Sequence, residues 1–230
     1  GIAMSEGDVC AMDRLNVLLE TVSSGYVPNR FDDCIVTDDI YEMLAAVSDE
    51  NRFKFNIPTL SKEVYGLARG EFACFAAYSN VGKTAFAISL SAAPGGFCEQ
   101  GAKVGYIANE EFGKRVKLRA VQAYAGMTKE EVIFEPRKAA AIYSGIKDKL
   151  IFADAQDWDV QTLDAYLGQG NFGVVFVDMA DKISLSSNFN SSHERLADLY
   201  YRLRELAKKH NVALIGMSQA SGEAEGKTRG

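Results

Sequence analysis

The 230 residues carry a formal net charge of −6 and are 47% apolar, enough for one α/β domain plus an N-terminal appendage. That charge argues against a surface coated with nucleic-acid-binding cations, while leaving room for a few cationic loops that converge in an oligomer. No stretch approaches a membrane span, because Ala85–Ala93 is broken by serines and runs into Pro94-Gly95-Gly96.

The first four residues, Gly1-Ile2-Ala3-Met4, have neither the basic nor the apolar region of a signal peptide. Cys10, Cys34, Cys74 and Cys98 show no C-x-x-C spacing, so reduced thiols and a cytoplasmic location are expected. Residues 1–55 differ in character from the rest. Apolar spacing predicts two short helices, Asp13–Thr21 and Asp38–Val47, with Asp38 or Asp39 as N-cap of the second. Between them, Gly25–Asn29 and Asp32-Asp33 read as loop. With too little apolar material for its own core, this segment is expected to be an arm or linker. It would pack on the main domain, residues 56–230, or on a neighbouring subunit.

Residues 55–71 lead to Gly70, a natural turn before the apolar run Phe72–Ala76, which reads as a buried strand holding Cys74. Next come Ala77-Tyr78-Ser79-Asn80-Val81-Gly82-Lys83-Thr84 and an apolar helical stretch without an N-cap residue. Strand, short polar turn, Gly-Lys-Thr and helix make the layout of a P-loop. Its backbone N–H groups surround phosphate, the lysine reaches the outer phosphates and the threonine hydroxyl serves Mg²⁺. Ala77 stands where the pattern has its first glycine, and Asn80 sits where a positive φ is wanted, which Asn tolerates.

Lys103–Ala108 reads as a second strand ending at Asn109-Glu110-Glu111, followed by a helix from about Phe112 to Ala125. The charges of that helix, Lys114, Arg115, Lys117 and Arg119, are expected on a solvated face. Further helix over 128–148 is interrupted by Pro136. Leu150–Phe152 is a short strand, and Val160–Leu167 a crossover helix capped near Asp159. Gly173–Asp178 is continuously apolar up to its final acid, as the interior of a parallel sheet requires. A Ser/Asn-rich loop, a helix with Leu196, Leu199, Tyr200, Leu203 and Leu206 on one face, and a last strand Val212–Met217 running into Ser218-Gln219 complete the pattern. Alternating strands and helices predict a parallel sheet with helices on both faces. His193, His210 and Trp158 read as structural residues.

In such a sheet, ligands gather at the carboxyl ends of the strands. Four predicted strands end in polar groups of a matching kind: the P-loop, Glu110-Glu111, Asp178 and Ser218-Gln219. Asp178 fits a Walker B acid that holds Mg²⁺ together with Thr84. Glu110 or Glu111 can activate a water, and Gln219 can hydrogen-bond a γ-phosphate.

Taken jointly and in order, these segments resemble the RecA-like ATPase domain of DnaB-type replicative helicases, most closely those of phage primase-helicases. The resemblance covers roughly residues 55–225. It includes Ile57–Leu60, Gly66–Glu71, the P-loop into Thr84–Ala87, Val104–Glu111, the strand to Asp178, and Asn211–Gln219. It implies an NTP-driven, ring-forming DNA helicase, expected as a hexamer, that uses ATP or another NTP with Mg²⁺ and translocates on single-stranded DNA, with primase as a possible partner. It assigns phosphate contact to Ala77–Thr84, catalysis to Lys83, Glu110 and Gln219, and the metal to Thr84 and Asp178. Glu110 rather than Glu111 becomes the base. The loop 184–192 and the tail with Lys227 and Arg229 would face DNA, and residues 1–55 would dock on the next subunit. The family's strands after the DNA-binding loop, with its arginine finger, are not found before Gly230, and unwinding is expected to need them. Two other readings stay open: a RecA-, RadA- or KaiC-like ATPase, and a nucleotide-gated DNA-binding accessory module without turnover.

Overall fold

The computed structural model describes residues 36, 38–48, 51–186, 189 and 191–220. The expected helix Asp13–Thr21 and the tail with Lys227 and Arg229 lie outside the described residues. The chain divides into two compact units, residues 1–47 and 48–230. The first contributes helix α1 (Ile40–Val47). Asp39 initiates it, its Oδ1 accepting the Tyr41 backbone N–H at 2.8 Å, which satisfies one of the donors that a helix start leaves unpaired.

The second unit opens with β1 (Arg52–Phe53), α2 (Pro58–Glu63) and β2 (Leu67–Ala68), the two strands pairing antiparallel. From sequence alone this stretch reads as an irregular lead-in. Helix α2 has Pro58 in its first turn, where the missing N–H costs nothing, but six residues are too few to show a helical period.

The body of the unit is a five-stranded parallel sheet. Its strands are β3 (Phe72–Ala77), β4 (Val104–Ala108), β5 (Leu150–Asp154), β6 (Val174–Asp178) and β7 (Ala213–Gln219), in the spatial order β3-β7-β6-β4-β5. The connecting helices are α3 (Lys83–Ala92), α4 (Gly113–Ala125), α5 (Lys129–Phe134), α6 (Pro136–Tyr143), α7 (Val160–Gly170) and α8 (Ser192–Lys209). Asp159 caps α7 as expected, accepting the Thr162 N–H at 2.7 Å, and Pro136 separates α5 from α6.

Strand alternation explains why β4 and β6 are apolar throughout. Tyr106, Val174 and Phe176 join the core under α3 and α4, while Ile107, Val175 and Val177 join the core under α7 and α8. Each fully buried Val, Leu, Ile or Phe on these strands contributes about 1.5–3 kcal/mol. The run Phe72–Ala76 departs from expectation. It forms an edge strand, not a buried one: it pairs with β7 alone among the described strands, and Cys74 and Ala76 are exposed. An apolar run of this length does not distinguish a central strand from an edge strand.

Candidate active site

β3 delivers the chain to Ala77 at the carboxyl end of the sheet, and the loop to Gly82 turns it into α3. Asn80 (φ 61°) and Gly82 (φ 98°) both take left-handed backbone. A Cβ at Gly82 would meet nothing within 4 Å, so its φ rather than crowding calls for glycine there. Helix α3 has no side-chain cap, which leaves its first N–H groups and the positive end of its dipole available to an anion.

These groups border a cleft of about 460 Å³. Ser79, Asn80, Gly82, Lys83, Thr84 and Ala85 line one side, and Glu110, Glu111 and Arg119 the other. Lys83 is 9% exposed. Its Nζ donates to the carbonyls of Ala77 at 3.1 Å and Tyr78 at 2.9 Å, and it has no carboxylate partner among the described residues. A buried ammonium in this condition is short of counter-charge, and a phosphate supplies it.

Asp178 lies beneath, 3% exposed. Alternation along β6 puts it on the face of Val174 and Phe176, the face that α3 covers. Its Oδ2 accepts from the Thr84 hydroxyl at 2.9 Å and the Tyr106 phenol at 2.7 Å, whereas its Oδ1 is buried without a hydrogen-bond partner. Burial, then the Asp178 charge, pushes the Tyr106 phenol well above its ordinary pKa. An orphaned carboxylate oxygen beside a threonine hydroxyl fits a hard dication that takes its remaining ligands from phosphate and water. Among the described residues no cluster of three His, Cys, Asp or Glu side chains has metal-binding geometry, so a cation here depends on the bound phosphates for most of its ligands.

The two rim carboxylates are not equivalent. Glu111 is gripped by both prongs of Arg119, at 2.7 and 3.0 Å. The nearest ion-pair partner of Glu110 is Lys182, 3.9 Å away, and its side chain is 45% exposed. Arg119 therefore departs from the expected solvated face by turning toward Glu111 and the cleft. A separation of eight residues, across a loop and two helical turns, leaves no sequence signature for such a pair.

A family model for AAA domains, AAA_25, matches residues 38–225. The chain belongs to this AAA domain family. Among solved structures it is similar to the ATPase domain of a phage helicase, with a TM-score of 0.67 and 19% identity over 84% of this chain and 75% of that one. It is also similar to a DnaB-like replicative helicase whose interactions with primase have been studied, with a TM-score of 0.70 and 19% identity over 94% of this chain. The chain spans 56% of that helicase's length. At such identity the likeness shows the fold, which is RecA-like α/β. No curated protein sequence matches.

Several contacts fix the AAA domain's strand ends relative to one another. The Asn109 side chain accepts the Met179 N–H and donates to the Met179 carbonyl, tying the end of β4 to the end of β6. Asp154 caps α4 through the Gly113 N–H at 2.5 Å. A Cβ at Gly113 would lie 2.8 Å from the Asp154 Oδ1, so only glycine permits this approach. Gln219 does not line the cleft. It is exposed, and the β3–β7 register sets it opposite Ala77. Its N–H donates to Asp181 Oδ2 at 2.8 Å, and Asp181 also accepts from Ser218 and Tyr200. That role of Asp181 is not apparent from sequence, where it is one polar residue in an expected loop. Ala77, Tyr78 and Val81 also stay outside the cleft lining: Ala77 and Tyr78 offer carbonyls to Lys83, and Val81 is exposed. His210 pairs with Asp164, and Trp158 packs on Tyr166 at 5.2 Å between ring centroids. No helix of the described residues is long and apolar enough to cross a membrane.

Proposed function

We propose that this AAA domain is the motor of a DnaB-type replicative DNA helicase, hydrolysing ATP or another NTP with Mg²⁺ at subunit interfaces of a ring and translocating on single-stranded DNA. The observation that carries the nucleotide chemistry is the pairing of Lys83, buried without a carboxylate, with Asp178, whose Oδ1 has no partner. The RecA-like fold and its likeness to a DnaB-like helicase support the motor and DNA parts of the reading, and that helicase's interactions with primase support primase as a further partner.

In this reading the Ser79–Gly82 backbone and Lys83 hold the outer phosphates, and Thr84 and Asp178 hold the cation. Bound Mg²⁺ supplies Lewis-acid charge to the β- and γ-phosphate oxygens. Glu110, free of a close counter-ion, takes the proton of the water that attacks the γ-phosphate in line, while Glu111 stays on Arg119. Gln219, at the end of β7, reports the loss of the γ-phosphate to the chain that follows it. Residues 184–192 and the tail with Lys227 and Arg229 contact DNA phosphates. Residues 1–55 act as an arm that docks on the neighbouring subunit, the ring is a hexamer, and the protein works in the cytoplasm.

Phosphate release by the assembled protein, with and without single-stranded DNA across a salt series, tests the motor. DNA is expected to stimulate release, with stimulation fading as salt rises because the contacts are to phosphate. Release that ignores DNA at low salt contradicts the motor reading.

A further inference from the structure

We propose that Tyr106 is a positioning residue that fixes which oxygen of Asp178 is presented to the catalytic cation. This rests on the reading of Asp178 as a metal acid and extends it to a residue outside the P-loop and Walker B segments.

Three observations converge. Tyr106 is fully buried, with its ring 5.8 Å from Phe176 and 5.1 Å from Phe152, so the phenol has one available direction. That direction ends on Asp178 Oδ2, at 2.7 Å. The same oxygen takes the Thr84 hydroxyl, while Oδ1 takes nothing although it too is buried. A carboxylate with two donors on one oxygen and none on the other is held by the loaded oxygen and presents the empty one. The phenol keeps its proton, since burial and the neighbouring carboxylate both disfavour phenolate, and Tyr106 is therefore a permanent donor.

When Thr84 turns its hydroxyl oxygen to the cation, it leaves Oδ2. The Tyr106 bond then remains as the restraint on the carboxylate. Without it, Asp178 is free to rotate, and Thr84 becomes the only donor satisfying a buried oxygen, which opposes its release to the metal. Outer-shell donors to metal-binding carboxylates act in this way, and their loss costs metal affinity.

The test is Tyr106→Phe, which keeps the ring packing and removes only the hydroxyl. Binding of a fluorescent ATP analogue is measured with and without Mg²⁺, and Mn²⁺ binding to the nucleotide complex is followed by electron paramagnetic resonance. The expected result is nucleotide affinity within about twofold of wild type without metal, and a requirement for about tenfold more Mg²⁺ or Mn²⁺. An unchanged metal requirement overturns the inference, as does an equal loss of affinity with and without metal, which would mark Tyr106 as a packing residue. Should wild-type nucleotide binding prove indifferent to Mg²⁺, Asp178 is no metal acid, and both the reading and the inference fall. Should wild type respond to metal and Asp178→Asn abolish the response while Tyr106→Phe does not, the inference alone falls.

Discussion

Asp178 on the floor of the cleft and Glu110 on its rim are carboxylates held in opposite ways. The floor acid closes a central strand, is 3% exposed, and has one oxygen fixed by two hydroxyl donors. The rim acid sits past the end of β4, is 45% exposed, and has a lysine no nearer than 3.9 Å. The difference matches what each is asked to do. A metal ligand gains from rigid placement, because its ligand geometry is then set before the cation arrives. A general base gains from an open carboxylate that water can reach. Glu111, one residue on, shows what Glu110 avoids: the Arg119 fork occupies both of its oxygens.

The contrast breaks most directly at Lys83. Lys83→Ala should lower nucleotide hydrolysis by more than about 100-fold, as expected when a donor to transferring phosphate is lost, and phosphate-release kinetics read it out. The rim is sharpened by a paired comparison: Glu110→Gln should cost about 10²–10⁴-fold in turnover with nucleotide affinity nearly kept. Glu111→Gln should cost far less. Equal losses in single-turnover assays would show that the two acids share one role. Asp181→Asn removes an acceptor serving Gln219, Ser218 and Tyr200 and should destabilise the fold by about 1–3 kcal/mol, measured by denaturant unfolding.

The smallest effect lies away from the cleft. At Asp164 burial pushes the pKa up, but hydrogen bonds from Lys209 and His210 outweigh it and leave the carboxyl below its ordinary value. A depressed folded pKa gives stability that is present above the ordinary carboxylate range and lost as pH falls through the folded value. Asp164→Asn should cost at most about 1 kcal/mol at neutral pH. The difference from wild type should vanish in acid, where unfolding curves of the two proteins should coincide.

The floor was legible in the sequence, and much of the rim was not. Strand, Gly-Lys-Thr and helix, with Asp178 after an apolar run, are local patterns that the backbone dictates, and Asn80 carries the positive φ its residue type predicts. Glu111 and Arg119 meet across a loop, and Asp181 meets β7 37 residues later. Such pairings arise from tertiary packing, which a periodicity does not encode. The edge position of β3 escaped for a related reason: its apolar residues resemble those of β6, yet strand order decides which of them is covered. The role of the Tyr106 hydroxyl was equally illegible, since a tyrosine within a strand reads as packing until its partner is seen.

A titration of a fluorescent Mg²⁺·ATP analogue against wild type and Lys83→Ala tests the central claim most directly. Saturable binding to wild type that weakens by more than about 100-fold in Lys83→Ala, with both proteins equally folded, is the predicted result. Equal binding by the two proteins would contradict it, because the cleft beside the buried ammonium would then not be the nucleotide site.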